Sequence, residues 1–443
     1  MRTSAVARLV VMGVLMLGML LPLQMVQGVV SERTTRREVA VHEIGGTWGG
    51  FQTIGGPVLT IPYRHEWIDN SGKSQQSVAR AFFLPDTLDV KATIEPQVLQ
   101  RGLFRVVVYR THVSMAGRFL RPDLTTIRPV PSQPLWDDAT VSIGITDPRG
   151  LTRRLTFNWM GGDLPLTPGA EDAGIFAAGV HARAAGLLAV AARSPMSFAV
   201  EVDVNGSRDL RFLPAGSDTT VEMTSTWPHP SFNGAPLPAF RDVRDTGFTA
   251  RWSVPYFSRG YAPEWTSNAM DRAQLKGLAD ASAFGVSLIQ PVDIYQQSER
   301  AVKYAALFIV MTFVVFFLFE IVRSRLLHPI QYSFIGFAMC VFYLLLVSLS
   351  EHLGFDTAYV SASLATTALI ALYSARVLEG VVEGAAIGGG LATLYGFLYL
   401  LLRLEDYALL AGSIGLFAML ALLMYATRQI DWYELRLGAP KVR

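Results

Sequence analysis

Cysteine is almost absent from this sequence, since Cys340 is the only one among 443 residues. A zinc or iron–sulfur site built on several cysteines of the chain is therefore excluded. Charged residues make up 17% of the chain, below the roughly 25% of soluble domains, which favours a membrane protein. The net charge of +2 and the lack of a basic block interleaved with aromatics predict no nucleic-acid partner.

Catalytic sequence motifs are absent as well. None of the seven histidines stands in an H-E-x-x-H arrangement, and neither the P-loop nor the full nucleophile-elbow pattern occurs. The nearest approach to the elbow, Ala411–Gly415, has alanine at the first glycine position and lies in an apolar run, where helix packing explains it better. The sequence therefore predicts a non-enzymatic protein with no catalytic residues, no metal site and no cofactor.

Residues 31–303 lack any apolar run long enough to span a bilayer, which takes about 20 residues. Outside them lie six such runs, one before and five after. The runs are Val10–Val30, Ala305–Phe319, Tyr332–Leu349, Ala358–Tyr373, Ala385–Leu402 and Tyr407–Tyr425. We predict an amino-terminal segment with a transmembrane anchor (1–30), a large soluble domain (31–303), a five-helix transmembrane bundle (304–425) and a tail (426–443).

The first apolar run is longer than the roughly 7–15 residues of a cleavable signal core, and no cysteine follows it closely. We interpret it as an uncleaved anchor. A cleaved signal peptide is the alternative, which Gln24 and Gln27 keep open.

Basic residues predict the orientation in the membrane. With the amino terminus inside, nine Lys and Arg residues lie in the inner segments, against Arg403 alone in the two short outer loops, 350–357 and 403–406. The nine are Arg2, Arg8, Arg323, Arg325, Arg376, Arg428, Arg436, Lys441 and Arg443. Both termini are therefore predicted to be cytoplasmic, and the 31–303 domain is predicted to lie on the other side of the membrane.

The soluble region has the period-two patterns of half-buried strands. In Phe198–Val204 apolar residues alternate with polar or small ones, and Asn205–Gly206 then predicts a tight hairpin turn. A second predicted hairpin joins Val141–Ile145 to Leu155–Trp159 through the turn Asp147–Gly150. Strands at this spacing predict a large antiparallel β-sandwich-like domain, as one elaborated sandwich or two.

Three ionisable residues near the predicted membrane surfaces are candidate functional residues. Glu320 ends an apolar run and Arg323 follows on the same helical face, so an interfacial ion pair is the simplest interpretation and a proton or ion site the alternative. Asp293 begins the polar lead-in to the bundle. Because no span carries a charge near its middle, a proton-coupled transporter is disfavoured.

Small residues recur every four positions into and along the fifth span. They are Gly380, Gly384, Gly388, Ala392 and Gly396. Such a ridge lets helix backbones approach closely in lipid. We predict packing within the bundle, with the interface of a homo-oligomer as the alternative.

In the soluble domain, Trp227 and His229 stand in the segment Trp227–Phe232, which combines two prolines with aromatic residues. Prolines fix a turn and aromatics anchor it, so a structural corner is the expected role and a binding loop the alternative.

Several segments resemble the CreD family of bacterial inner-membrane proteins. The strongest resemblance lies in FGVSLIQPVDIYQQSERAVKYAALFIVMTFVVFFLFE, followed by HPIQY and LLLVSLSEH, and WPHPSF and GFTARW in the soluble domain also fit. The order of anchor, large periplasmic domain and terminal helix cluster matches as well. The resemblance implies a role in cell-envelope integrity or stress, within a regulon under a two-component system linked to carbon source and β-lactam response. It implies no reaction and no catalytic residues.

We therefore expect a non-enzymatic inner-membrane protein of the envelope stress response, whose periplasmic domain senses or binds something. Its expected partners are the lipid bilayer and either an envelope protein or a cell-wall ligand. A transporter or channel through the bundle and a periplasmic enzyme acting on wall or lipid are the alternatives.

Overall fold

The computed structural model describes residues 5–68, 73–125, 127, 133–152, 155–170, 173–184, 195–268, 271–290, 294–323, 327–404 and 407–428. The chain divides into two compact units. One combines Met1–Glu38 with Val292–Arg443, and the other is Val39–Pro291. We call them the helical unit and the β unit.

Eight α-helices lie in the described residues. They are α1 (Ala5–Gly18), α2 (Leu20–Thr47), α3 (Arg272–Ser282), α4 (Ile294–Arg323), α5 (Pro329–Leu353), α6 (Phe355–Val377), α7 (Val381–Arg403) and α8 (Ala408–Thr427). Within these residues, six helical segments are long and apolar enough to cross a membrane. They are Val10–Thr47, Ile294–Phe317, Pro329–Leu353, Phe355–Val377, Val381–Arg403 and Ala408–Tyr425. The predicted arrangement of one amino-terminal and five carboxy-terminal helices is confirmed.

Local sequence explains where α5 begins and ends. His328 caps the helix, because its Nδ1 accepts a hydrogen bond from the backbone N–H of Ile330 at 3.3 Å. The Gln331 side chain accepts in return from the backbone N–H of His328 at 2.8 Å, and Pro329 occupies the first turn, where no N–H is needed. At the other end Gly354, with φ of 78°, ends α5 in a conformation that favours glycine and lets α6 start at once.

Aromatic side chains fill the centre of the helical unit. The ring of Phe342 lies 5.6 Å from that of Tyr359 and 4.5 Å from that of Tyr395. The Tyr359 hydroxyl donates to the carbonyl oxygen of Tyr395 at 2.6 Å, which joins α6 to α7. These side chains belong to a continuous buried cluster with residues from α1, α2 and α4 to α7.

The β unit contains the described strands. They are β1 (Gln52–Ile68), β2 (Ser74–Phe83), β3 (Thr87–Arg101), β4 (Phe104–Phe119), β5 (Gln133–Pro134), β6 (Thr140–Ile145), β7 (Thr156–Trp159), β8 (Gly162–Asp163), β9 (Thr167–Pro168), β10 (Gly179–Arg183), β11 (Met196–Ser207), β12 (Asp209–Phe212), β13 (Asp218–Ser225), β14 (Pro230–Gly234), β15 (Phe240–Arg244), β16 (Gly247–Pro255), β17 (Glu264–Thr266) and β18 (Phe284–Leu288).

The strands form two sheets. A ten-stranded sheet has the order β14-β18-β12-β1-β6-β10-β9, with β2 and β5 also paired to β1 and β17 paired to β2. An eight-stranded sheet has the order β15-β16-β13-β3-β4-β11-β7-β8. Buried residues of both sheets form one hydrophobic core, which confirms a large β-rich domain. The sheets are mixed, because β1 pairs with β12, and β13 with β3, in parallel.

Both predicted hairpins are wrong, because in each case the chain passes from one sheet to the other. Strand β11 continues through Asn205 and Gly206, which pair with Arg110 and Tyr109 of β4, and β12 then lies in the ten-stranded sheet. Gly206 is needed for close approach, since a Cβ there would collide with the Tyr109 hydroxyl. Likewise Asp147–Gly150 leads from β6 in one sheet to β7 in the other.

Candidate functional site

A polar groove lies on the outward face of the eight-stranded sheet. Strand alternation places Thr93 and Glu95 of β3, Arg110 and His112 of β4, and Asp203 of β11 on this face, while the intervening side chains enter the core. The groove encloses about 460 Å³. It is lined by Thr93, Glu95, Arg110, Thr111, His112, Thr152, Asp203, Val204 and Asn205.

The register of β3, β4 and β11 brings these side chains into two rows across the strands. Thr93 lies opposite His112, which lies opposite Asp203. In the adjacent row Glu95 lies opposite Arg110. Residues directly opposite in an antiparallel pair have Cβ atoms about 4.5–5.5 Å apart, so each row can contact one small ligand.

His112 is held between two carboxylates of β11. Its Nδ1 lies 2.7 Å from Asp203 Oδ1, and its Nε2 lies 2.9 Å from Glu201 Oε2. Only the protonated imidazolium donates from both nitrogens, so this geometry favours the charged form. The hydrogen bond to Asp203 raises the pKa of His112 above its ordinary value, and the nearby charges of Glu201 and Asp203 add to the rise.

A serine next to this cluster does not complete a nucleophilic triad. The Ser114 hydroxyl donates to Glu201 Oε1 at 2.9 Å. Because Glu201 also occupies Nε2 of His112, the histidine is not positioned to take a proton from the serine. The cluster is thus arranged for charge and hydrogen bonding rather than for acyl transfer.

A second hollow extends the groove along the same face. It encloses about 470 Å³ and shares Thr93 and Glu95 with the first. Its other lining residues are Ile94 of β3 and residues of β13, β15, β16 and the neighbouring turns. Among the residues that the structure describes, no group of three or more His, Cys, Asp or Glu is placed to hold a metal ion.

Trp227 and His229 do not line the groove, and their contacts connect another part of the β unit. The indole N–H of Trp227 donates to the carbonyl oxygen of Ile289 at 2.9 Å. The backbone N–H of Ile289 in turn donates to the carbonyl oxygen of His229 at 3.2 Å, and the His229 side chain is exposed. These contacts hold the chain just after β18, and the role of the segment as a structural corner stays a prediction.

Glu320 is buried in the helical unit, with 2% of the residue exposed. The Tyr332 hydroxyl donates to its Oε2 at 2.8 Å, which joins the end of α4 to the start of α5. The side chain of Arg323 and the whole of Asp293 lie outside the described part of the chain, so the predicted pair of Glu320 with Arg323 remains a prediction.

The small-residue ridge divides into two parts. A Cβ at Gly384 would lie 2.5 Å from Ala375 Cβ and 2.7 Å from the Ala371 carbonyl oxygen, and one at Gly388 would lie 2.9 Å from Ala371 Cβ. These two glycines therefore contact α6 closely. A Cβ at Gly396 would meet no atom within 4 Å. Of the other two members of the ridge, Ala392 is exposed within this chain, and Gly380 is the residue that precedes α7.

Sequence reasoning missed the groove and its central His112. Its only sequence signal was the outward alternation of Glu201 and Asp203 along one strand. The pairing of these carboxylates with His112 depends on a contact between residues 91 positions apart, which no local pattern reveals.

A sequence profile described as "Inner membrane protein CreD" matches residues 4–433. The chain belongs to the CreD family. "Inner membrane protein CreD" of Escherichia coli (strain K12) is 31% identical over 431 residues, which cover 96% of this chain and 92% of the relative. With its six apolar helices, this CreD-family chain is a multi-pass inner-membrane protein.

Among solved structures, similarity was found to a crystal structure of an M1 zinc metallopeptidase from Deinococcus radiodurans. The alignment covers 81% of this chain and 95% of the other at 11% identity. Its TM-score of 0.18 is too low to indicate a shared fold, so the match supports nothing about this CreD-family chain.

Proposed function

We propose that this protein supports the integrity of the cell envelope under stress without catalysing a reaction. In this proposal the β unit lies in the periplasm and binds an envelope component, either a cell-wall ligand or another envelope protein. The observation that carries the proposal is the groove, which combines a concave surface of small-ligand size with convergent polar groups. The predicted excess of basic residues in the inner segments supports the orientation.

The test is complementation of a strain that lacks the gene, with survival under cell-wall and detergent stress as the readout. Thr93→Trp should block the groove from its exposed centre, because Thr93 lines both hollows. We expect this variant to be inserted normally and to fail to restore resistance.

Ser253→Trp is the matched control. Ser253 is exposed on the same sheet, in β16, and lines neither hollow. It should restore resistance fully. Equal complementation by the two variants would remove the groove from the proposed function.

Transport through the helical unit is a second candidate, favoured by two hydrogen-bonded carboxyl groups at opposite ends of α5, one buried and one half-buried. Glu320 is bonded to Tyr332 near the start of the helix, and Glu351 accepts from the Tyr295 hydroxyl at 2.9 Å near its end. Buried carboxyl groups in membrane helices often mark ion or proton paths. Proton or cation flux into proteoliposomes that is abolished by Glu320→Gln would support transport over binding.

A further inference from the structure

Two charges in the groove lie opposite each other without pairing. Glu95 and Arg110 are cross-strand neighbours, yet neither makes an ion pair or side-chain hydrogen bond with any residue that the structure describes. Elsewhere on this sheet opposite charges do pair. The pairs include Arg251 with Glu222 at 2.8 Å and Arg244 with Asp242 at 2.7 Å.

Contact with an aromatic residue explains why the Arg110 side chain does not form an ion pair with Glu95. The Arg110 guanidinium lies over the ring of Trp48, 5.8 Å from the ring centroid. The indole N–H of Trp48 is itself bonded to the carbonyl oxygen of Tyr109 at 3.2 Å, which fixes the ring. A cation over a tryptophan face is stabilised there and keeps its N–H donors available to a ligand.

The two free charges define the chemistry of a matching ligand. Guanidinium groups bind carboxylates through paired N–H donors, and the Glu95 carboxylate accepts from an ammonium group. Thr93 and Thr152 add neutral hydrogen-bonding groups that suit peptide amides. No Trp, Tyr or Phe lines this hollow in the described chain, so the apolar platform on which a sugar ring could pack is missing.

The geometry points to a short peptide with a free ammonium group at Glu95 and a free carboxylate at Arg110 as the ligand of this groove. The inference rests on the proposed binding function and adds the ligand class. The hollow of about 460 Å³ falls in the size range of small-ligand sites.

The test uses the full chain in detergent micelles and measures affinity for trialanine by ligand-observed NMR. Two capped peptides serve as probes, one acetylated at its amino end and one amidated at its carboxy end. We expect trialanine to bind and each cap to weaken binding by about tenfold, as the loss of a charged hydrogen bond requires.

The variants make the prediction specific to each end. In Glu95→Gln, acetylation should no longer weaken the affinity for the peptide, whereas amidation should still weaken it. In Arg110→Gln, amidation should no longer weaken the affinity, whereas acetylation should still weaken it. Glu222→Gln, on the same sheet but outside this hollow, should leave all affinities unchanged.

Three results would overturn the inference: no binding of trialanine, capped peptides that bind as tightly as trialanine, or binding of a chitin tetramer in place of the peptides. If any of these occurs while Thr93→Trp still fails to complement, the proposed function stands and only the ligand class is wrong. If Thr93→Trp complements fully and trialanine still binds as predicted, the ligand class is supported. In that case the proposed role of the groove in envelope integrity is wrong.

Discussion

The same substitution at two glycines of α7 should have opposite effects on the helical unit. Gly384 and Gly396 belong to one helix and one small-residue ridge, but they differ in surroundings. A Cβ at Gly384 would lie 2.7 Å from a backbone oxygen of α6, that of Ala371, whereas a Cβ at Gly396 would meet no atom within 4 Å. A backbone atom cannot move aside as a flexible side chain can.

The magnitude follows from two effects. Replacing glycine with alanine inside a helix stabilises it by about 0.5–1 kcal/mol, and this gain applies at both positions. Overpacking a close contact costs about 1–3 kcal/mol, and this cost applies only at Gly384. We therefore expect Gly384→Ala to unfold about 2–12 °C below Gly396→Ala, using about 2–4 °C per kcal/mol for a unit of this size.

The assay exploits the scarcity of cysteine. Cys340, the sole cysteine, is buried in α5, so a maleimide dye that fluoresces on reaction reports unfolding of the helical unit. Tryptophan fluorescence supplies an internal control, because seven of the eight tryptophans lie in the β unit. Their signal should change at the same temperature in both variants. Labelling of Gly384→Ala at or above the temperature of Gly396→Ala would refute the packing argument.

Three further predictions concern individual contacts. Asp203→Asn should lower the pKa of His112 in an NMR titration, because the bond to Asp203 is the main cause of its rise. The raised pKa means that this contact stabilises the fold below pH about 6.5 and that the stabilisation is lost as pH rises through the folded-state value. Tyr332→Phe should destabilise the helical unit by about 1–3 kcal/mol in the dye assay, since it removes a hydrogen bond to a buried carboxyl group. Gly206→Ala should lower the unfolding temperature seen by tryptophan fluorescence, because its Cβ would collide with a buried tyrosine hydroxyl.

The small-residue ridge shows that residues spaced four positions apart do not all lie on one face of a helix. Four residues turn an α-helix by about 400°, so each step along the ridge rotates about 40° from the last. Gly384 and Gly388 therefore face α6, while Gly396 has turned away from it. The spacing indicated small residues on a helix, but the partner that each one meets depends on how α6 and α7 cross.

The two wrong hairpins have a related cause. A turn sequence such as Asn205–Gly206 indicates only that the backbone there can bend tightly. A hairpin and a crossing between stacked sheets both need such a bend. Which of them forms depends on where the next strand finds a partner. For β12 that partner is β1, more than 150 residues earlier in the chain.

By itself the sequence determined the class of this protein: six apolar helices, one before and five after a β-rich domain. These features follow from composition and local periodicity, because burial in lipid and strand alternation act over a few residues at a time. Only the tertiary structure decided the sheet topology, the close glycine contacts and the groove. They depend on side chains distant in sequence, such as His112 and Asp203, which become neighbours only when strand register is set by the packing of the whole core.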